Sequence, residues 1–258
     1  MRKLKWLLIA AVGVAVLIVG GTWVYIHVIQ GPAPEKLSFA AKDATTTTAP
    51  ASAGASTAAP TTATSSSTAT SSPSSTAATA PGGSAIAGTW TATPESLAGY
   101  RVKEVLFGQS TEAVGRTNAI TGQLSIDATG VKTAAFSVDL TQVSSDQSQR
   151  DGQFRGRIMN VGQFPTATFT LTSPLAISTV PADKVELTFK ATGDLALRGT
   201  TKSVTFDLTA RRNGSNIEVN GSIPLVFADW GIPNPSAGPA STEDNGLLEF
   251  LLVFNKSA

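Results

Sequence analysis

Asp229, Glu243 and Asp244 fall within one stretch, Asp229 to Gly246, that is rich in Gly, Pro, Asn and Ser. Grouped carboxylates can carry acid and base work, can hold a cation weakly through oxygen, or can simply keep a loop solvated. The loop-forming composition around them favours solvation. His27 is the one histidine and there is no cysteine. Those absences remove His- or Cys-based triads, thiolate nucleophiles and ordinary zinc sites. Catalysis would rest on carboxylates, hydroxyls, Lys or Arg, and no catalytic residue, metal ligand or cofactor is assigned. The pairs Arg155 with Arg157 and Arg211 with Arg212 read as solvated ends of elements. The expectation is a protein that binds rather than one that transforms.

The elements that would position any such group begin after a membrane signal. Residues 1–5 carry Arg2, Lys3 and Lys5 and read as a cytoplasmic basic tail. Residues 6–29 form an apolar run with no Asp, Glu, Lys or Arg. About 20 apolar residues cross a bilayer, whereas the core of a cleaved signal is about 7–15, so the run reads as a retained single-pass anchor. Basic residues stay inside, which puts the C-terminal domain outside the cytoplasm. His27 then lies uncharged in the outer interfacial zone.

Residues 30–85 read as a disordered linker, because from about Ala40 to Gly83 nearly every residue is Ala, Thr, Ser or Pro and nothing large and apolar is available to offset ordering entropy. As a flexible coil it would reach roughly 40 Å. Residues 86–258 are the length of one domain. With 14 Lys and Arg against 16 Asp and Glu it is near neutral, which argues against a nucleic-acid surface.

Alternation with period two dominates that domain. Val185, Leu187, Phe189, Ala191, Gly193, Leu195 and Leu197 interleave with polar residues, as a half-buried strand requires. The pattern recurs at Ile120 to Ile126, Phe136 to Leu140, Ala167 to Leu171, Val204 to Ala210 and Ile217 to Phe227. Ala128-Thr129-Gly130, Arg198-Gly199-Thr200 and Asn213-Gly214-Ser215 supply turn chemistry between them. Leu247 to Phe254 is almost continuously apolar and should close the sheet or lie against other protein. One short helix is expected, with Ser144 or Ser145 as N-cap, Asp151 paired to Arg155, and Phe154 and Ile158 facing inward. Seven or eight antiparallel strands with one apolar face must close into a barrel or pair into a sandwich.

Four stretches extend this reading: Gly88-Thr89-Trp90-Thr91; Arg150-Asp151-Gly152-Gln153-Phe154-Arg155-Gly156; Gln163-Phe164-Pro165-Thr166-Ala167-Thr168-Phe169; and Gly193 to Lys202. In this order the domain resembles the YceI family over roughly Ala87 to Phe254. The resemblance implies a mainly β, lipocalin-like antiparallel barrel of about eight strands with one short helix, binding a polyisoprenoid lipid or quinone inside. Where that family often carries an Asp-x-x-His-Ser pattern, this chain has Thr93-Pro94-Glu95-Ser96. Polar contacts to a ligand head group at that end are therefore not carried over.

Phe136, Val138, Leu140, Phe154, Phe169, Leu187, Phe189, Phe206 and Leu208 are the expected lining, with a dry, filled core as the alternative for each. The resulting expectation is a membrane-anchored, extracytoplasmic lipid-binding barrel. The other class is a cell-envelope interaction module with a filled barrel, using Trp230 beside Pro233 and Pro235 as an exposed anchor, unless Trp230 caps the barrel end.

Overall fold

The computed structural model describes residues 20–21, 33–47, 86–238 and 240–257. The expected span over residues 6–29 lies outside the described residues except for Gly20 and Gly21. Among the described residues no helix is long and apolar enough to cross a membrane.

Thirteen strands make one sheet: β1 (Gly88–Ala92), β2 (Leu97–Leu106), β3 (Gln109–Thr117), β4 (Ile120–Asp127), β5 (Gly130–Asp139), β6 (Ser144–Ser145), β7 (Thr166–Leu171), β8 (Leu175–Ala176), β9 (Leu187–Leu197), β10 (Thr200–Asn213), β11 (Asn216–Val226), β12 (Ala240–Thr242) and β13 (Asn245–Lys256). Eight of them, in the order β1-β4-β5-β7-β9-β10-β11-β13, form an antiparallel ring that β13 closes by pairing with β1. Closure removes the open edge that a sheet of this size would otherwise expose. β13 is long enough to hold β1 along one half, at Phe254 to Lys256, and β2 along the other, at Leu247 to Leu251. β2, β3 and β6 thus extend the wall at one end of the barrel.

The expected turns occur. Asp127 Oδ1 accepts from the backbone N–H groups of Thr129 (2.7 Å) and Gly130 (3.2 Å), which bends the chain between β4 and β5. Arg198 and Gly199 both take positive φ in the two-residue turn from β9 to β10. The alternation from Val185 is displaced at its start: pairing begins at Leu187, and Val185 is exposed.

The helix differs from expectation in detail. It spans Ser148–Gln153. Ser144 and Ser145 do not cap it; they pair with β3 at Arg116 and Gly115. Asp151 does not pair with Arg155. Its Oδ1 accepts from the N–H (2.8 Å) and hydroxyl (2.7 Å) of Ser145, tying the helix back to β6. A wide turn over Phe154–Ile158 follows, in which Met159 N–H donates to Phe154 C=O, five residues back. Such turns recur at functional sites. Phe154 is buried and Ile158 packs on the core, as the spacing implies.

Residues 33–47 overturn the reading of residues 30–85 as one disordered linker. Here the chain lies on the outside of the barrel and forms a helix, α1 (Phe39–Thr47); we label Ser148–Gln153 α2. Residues 30–32 and 48–85 lie outside the described residues. Docking explains why β13 is apolar on both faces. Phe250, Leu252 and Phe254 point into the barrel, while Glu249, Leu251 and Val253, on the other face, are no more than 3% exposed. Phe39 is 5% exposed, and the Arg211 guanidinium stacks 4.3 Å over its ring. Glu218, on β11 opposite Val253, is fully buried and accepts from Lys42 Nζ (2.6 Å), Arg211 Nε (2.7 Å) and Asn213 Nδ2 (3.0 Å). Asp43 takes Arg211's other side at 2.8 Å. Farther along, Arg101 Nε bonds Glu249 at 2.6 Å and its Nη2 donates to the carbonyl of Pro34 at 2.7 Å.

Burial alone would push the Glu218 carboxyl up, but hydrogen bonds from Lys42, Asn213 and Arg211 outweigh it and hold the group below its ordinary value of 4.5. A carboxylate lowered by folding adds stability in full above its unfolded value, and that stability is lost as pH falls through the folded one. The protection factors of the amides of residues 37–44, which correct for the intrinsic slowing of exchange in acid, should therefore be high near neutrality and fall below about pH 4.5, before those of the barrel strands.

Candidate ligand-binding cavity

Two cavities occupy the barrel. The larger, about 750 Å³, opens at the end formed by β2, β3, α2 and the segment after β11. That volume lies in the range of small-molecule sites. The smaller, about 170 Å³, lies deeper and is almost wholly apolar. Ala98, Val138, Ala167 and Leu248 border both, so they form a waist between the two. Val138 and Ala167 are cross-strand neighbours on β5 and β7, and Ala98 and Leu248 come from the paired strands β2 and β13.

All nine expected lining residues border this interior. Phe136, Phe169, Leu187, Phe189, Phe206 and Leu208 line the deep cavity, Leu140 and Phe154 the outer one, and Val138 both. Phe169, Phe206 and Phe250 meet edge to face, with centroids 5.5 and 5.8 Å apart. Such pairs prefer this geometry and hold the walls of the deep cavity in fixed rotamers.

The sequence reading missed the polar wall of the outer cavity. Tyr100, Glu104, Gln147, Gln149, Arg150 and Gln153 all border it. Arg150 Nη2 bonds Glu104 Oε1 at 3.0 Å and its Nη1 bonds Asp146. Glu104 is an inward carboxylate on an otherwise apolar strand face, where Ala98, Val102 and Leu106 also line the cavity. The signal available was the break in alternation at Glu104, four residues beyond Tyr100. Tyr100 stacks on Phe154 at 5.1 Å. Burial pushes its hydroxyl up to about 12, so at neutral pH it is a neutral phenol that can donate a hydrogen bond. In the Tyr25→Phe chain, where Tyr100 is the one tyrosine, ultraviolet titration should show tyrosinate forming near pH 12 rather than near the ordinary 10.

The segment after β11 forms the rim. Trp230 is 3% exposed, so it caps the barrel end and is not a surface anchor. Arg157 donates to the carbonyls of Asn234 and Pro235, each at 2.9 Å, and so ties this rim to the turn after α2. The carboxylates weighed as acids and bases go to separate partners: Asp229 faces Lys202 at 3.2 Å, Asp244 accepts from Asn234 at 2.6 Å, and Glu243 lies 4.0 Å from Lys103. Among the described residues no group of His, Cys, Asp or Glu could hold a metal ion.

Eight antiparallel strands closed around an apolar interior, with polar side chains at one open end, define the class of closed antiparallel β-barrels. Within that class the chain belongs to the YceI-like family, whose YceI-like domain matches residues 90–254. A UPF0312 protein of Shewanella denitrificans is 33% identical over 137 residues, covering 50% of this chain and 68% of that protein. One from Pseudomonas paraeruginosa is 31% identical over 159 residues, covering 58% and 76%. In fold the chain is similar to a polyisoprenoid binding domain from Saccharophagus degradans, with a TM-score of 0.53 and 16% identity, covering 65% of this chain and 98% of that domain.

Proposed function

We propose that this chain is a membrane-anchored, extracytoplasmic protein that holds an isoprenoid lipid or quinone in its barrel and acts as its carrier or buffer, without catalysing a reaction on it. The observation that carries the reading is the pair of neighbouring, mainly apolar cavities that share Ala98, Val138, Ala167 and Leu248 as lining. A long unbranched stack of walls with polar groups at one end suits a molecule with a long apolar tail and a small polar head. The named ligand of the Saccharophagus degradans domain is of the same chemical class. Burial of the tail at roughly 25 cal/mol per Å² would supply affinity. The Tyr100, Arg150 and Gln153 end would receive the head.

Residues 6–29 would supply the anchor and residues 1–5 the cytoplasmic end. The filled-barrel interaction module loses its main support because Trp230 is buried. Organic extraction of the folded full chain from a prenyl-lipid-containing host, followed by mass spectrometry, tests the reading. A stoichiometric prenyl lipid is the expected result, and a barrel that yields none would remove it.

A further inference from the structure

Resting on the anchored-carrier reading, we propose that residues 33–47 hold the barrel with its outer cavity facing its own bilayer, and that the β2–β3 tip, Val105-Leu106-Phe107, enters the lipid headgroup zone.

The docked segment contacts the barrel in an ordered climb. The carbonyl of Pro34 meets Arg101 and that of Glu35 meets Arg116, on β2 and β3. Leu37 C=O meets Asn220 at 2.7 Å, then Lys42 meets Glu218 and Asp43 meets Arg211. Arg101, Asn220 and Glu218 stand at the levels of Leu247, Leu251 and Val253 on β13. The chain therefore enters on the hairpin that borders the outer cavity and runs away from it, toward the deep end. Only residues 30–32 separate Ile29, the end of the apolar run, from Ala33, and four extended steps span at most about 14 Å. The tip is six residues beyond Arg101, about 20 Å at 3.3 Å per residue, and the headgroup zone is itself several ångströms deep.

The surface agrees. Of the four exposed large apolar residues among those described, Val105, Phe107 and Val226 are at this end, and Val185 is at the other. Phe107 is 55% exposed and takes φ +49° beside Gly108 at +81°, a two-residue turn that suits Asn-Gly. A bulky aromatic is a poor choice for that backbone, and although Phe107 borders the mouth of the outer cavity, more than half of it stays exposed. Contact with a lipid interface gives it a partner.

Because the chain has no cysteine, single labels can be placed cleanly. Full-length Phe107→Cys and Val185→Cys chains, each carrying a polarity-sensitive dye, would be reconstituted into vesicles containing spin-labelled lipids, with membrane insertion checked by resistance to alkaline extraction. The expected result is quenching at position 107 at least fivefold stronger than at 185. Phe107→Asn should raise the melting temperature yet slow transfer of a fluorescent prenyl probe to the vesicles tenfold or more. An inserted chain with equal quenching at both positions, or stronger quenching at 185, would overturn the orientation while leaving the anchor standing. A chain extracted at alkaline pH would instead remove the anchored reading itself.

Discussion

Glu218→Ala should destabilise the protein by about 3 kcal/mol and release residues 33–47 from the barrel. Glu218 has no exposed surface and is the centre of a network with Lys42, Arg211 and Asn213. Removing one partner of a buried ionic cluster leaves the others charged and desolvated, at a cost of about 3–5 kcal/mol. Asp43 still faces Arg211, which places the effect at the lower end. For a domain of this size that corresponds to a fall in melting temperature of roughly 6–12 °C. Calorimetry would measure the fall, and hydrogen exchange at residues 37–44 would show its location. Arg211→Met combined with Glu218→Leu should cost less than Glu218→Ala, because the guanidinium that would keep only Asp43 is removed together with its buried partner.

Ala167→Phe should close the waist. Ala167 borders both cavities and faces its neighbour Val138 across the β5–β7 pair. A prenyl tail confined to the outer cavity would forfeit burial of whatever had reached Phe136, Phe206 and Phe250. At about 0.8 kcal/mol per methylene, four lost methylenes amount to roughly 3 kcal/mol, more than a hundredfold in affinity. A short prenyl probe that fits the outer cavity alone should bind within threefold of the unaltered protein. Titration with probes of one, two and more isoprene units separates the two outcomes. Overpacking of this kind costs about 1–3 kcal/mol of stability, so thermal unfolding of the variant is the accompanying control. If long and short probes weaken equally, the waist does not meter tail length.

The barrel was legible because alternation is a local signal. Leu187, Phe189, Ala191 and Leu195 lie on one strand and announce their shared face without reference to anything else in the chain. Eight of the nine expected lining residues follow from that rule, and Phe154 follows from the spacing of the short helix. The ends of elements were less legible. Ser144 and Ser145 have the composition of an N-cap, but the free edge of β3 offers them backbone hydrogen bonds that a helix start at Ser148 does not. Trp230 beside two prolines admits either an exposed anchor or a cap on the barrel end, and its burial selects the cap.

The docked segment was the least legible part. Glu218, Arg211, Arg101 and Glu249 occupy outward positions where charge is ordinary, and their partners at Asp43, Lys42 and Pro34 lie far away in sequence. Two traces were present. β13 is apolar at successive residues rather than alternate ones, as a strand covered on both faces must be. Leu37, Phe39, Lys42 and Asp43 also differ in kind from the Ala, Thr, Ser and Pro that follow.

The low-complexity stretch takes on another meaning from the positions of its two ends. α1 ends at Thr47 on the barrel's outer wall, and the core resumes at Ile86, whose carbonyl accepts from Trp90 Nε1 at 2.9 Å. Residues 48–85 therefore connect two points on the same body. The closure entropy of a loop grows only logarithmically, so doubling or halving this one changes stability by about 0.6 kcal/mol. In the proposed anchored arrangement, its length would be uncoupled from the gap between barrel and bilayer, which residues 30–32 would set. Evolution could then lengthen, shorten or decorate the connection while the cavity mouth kept its station.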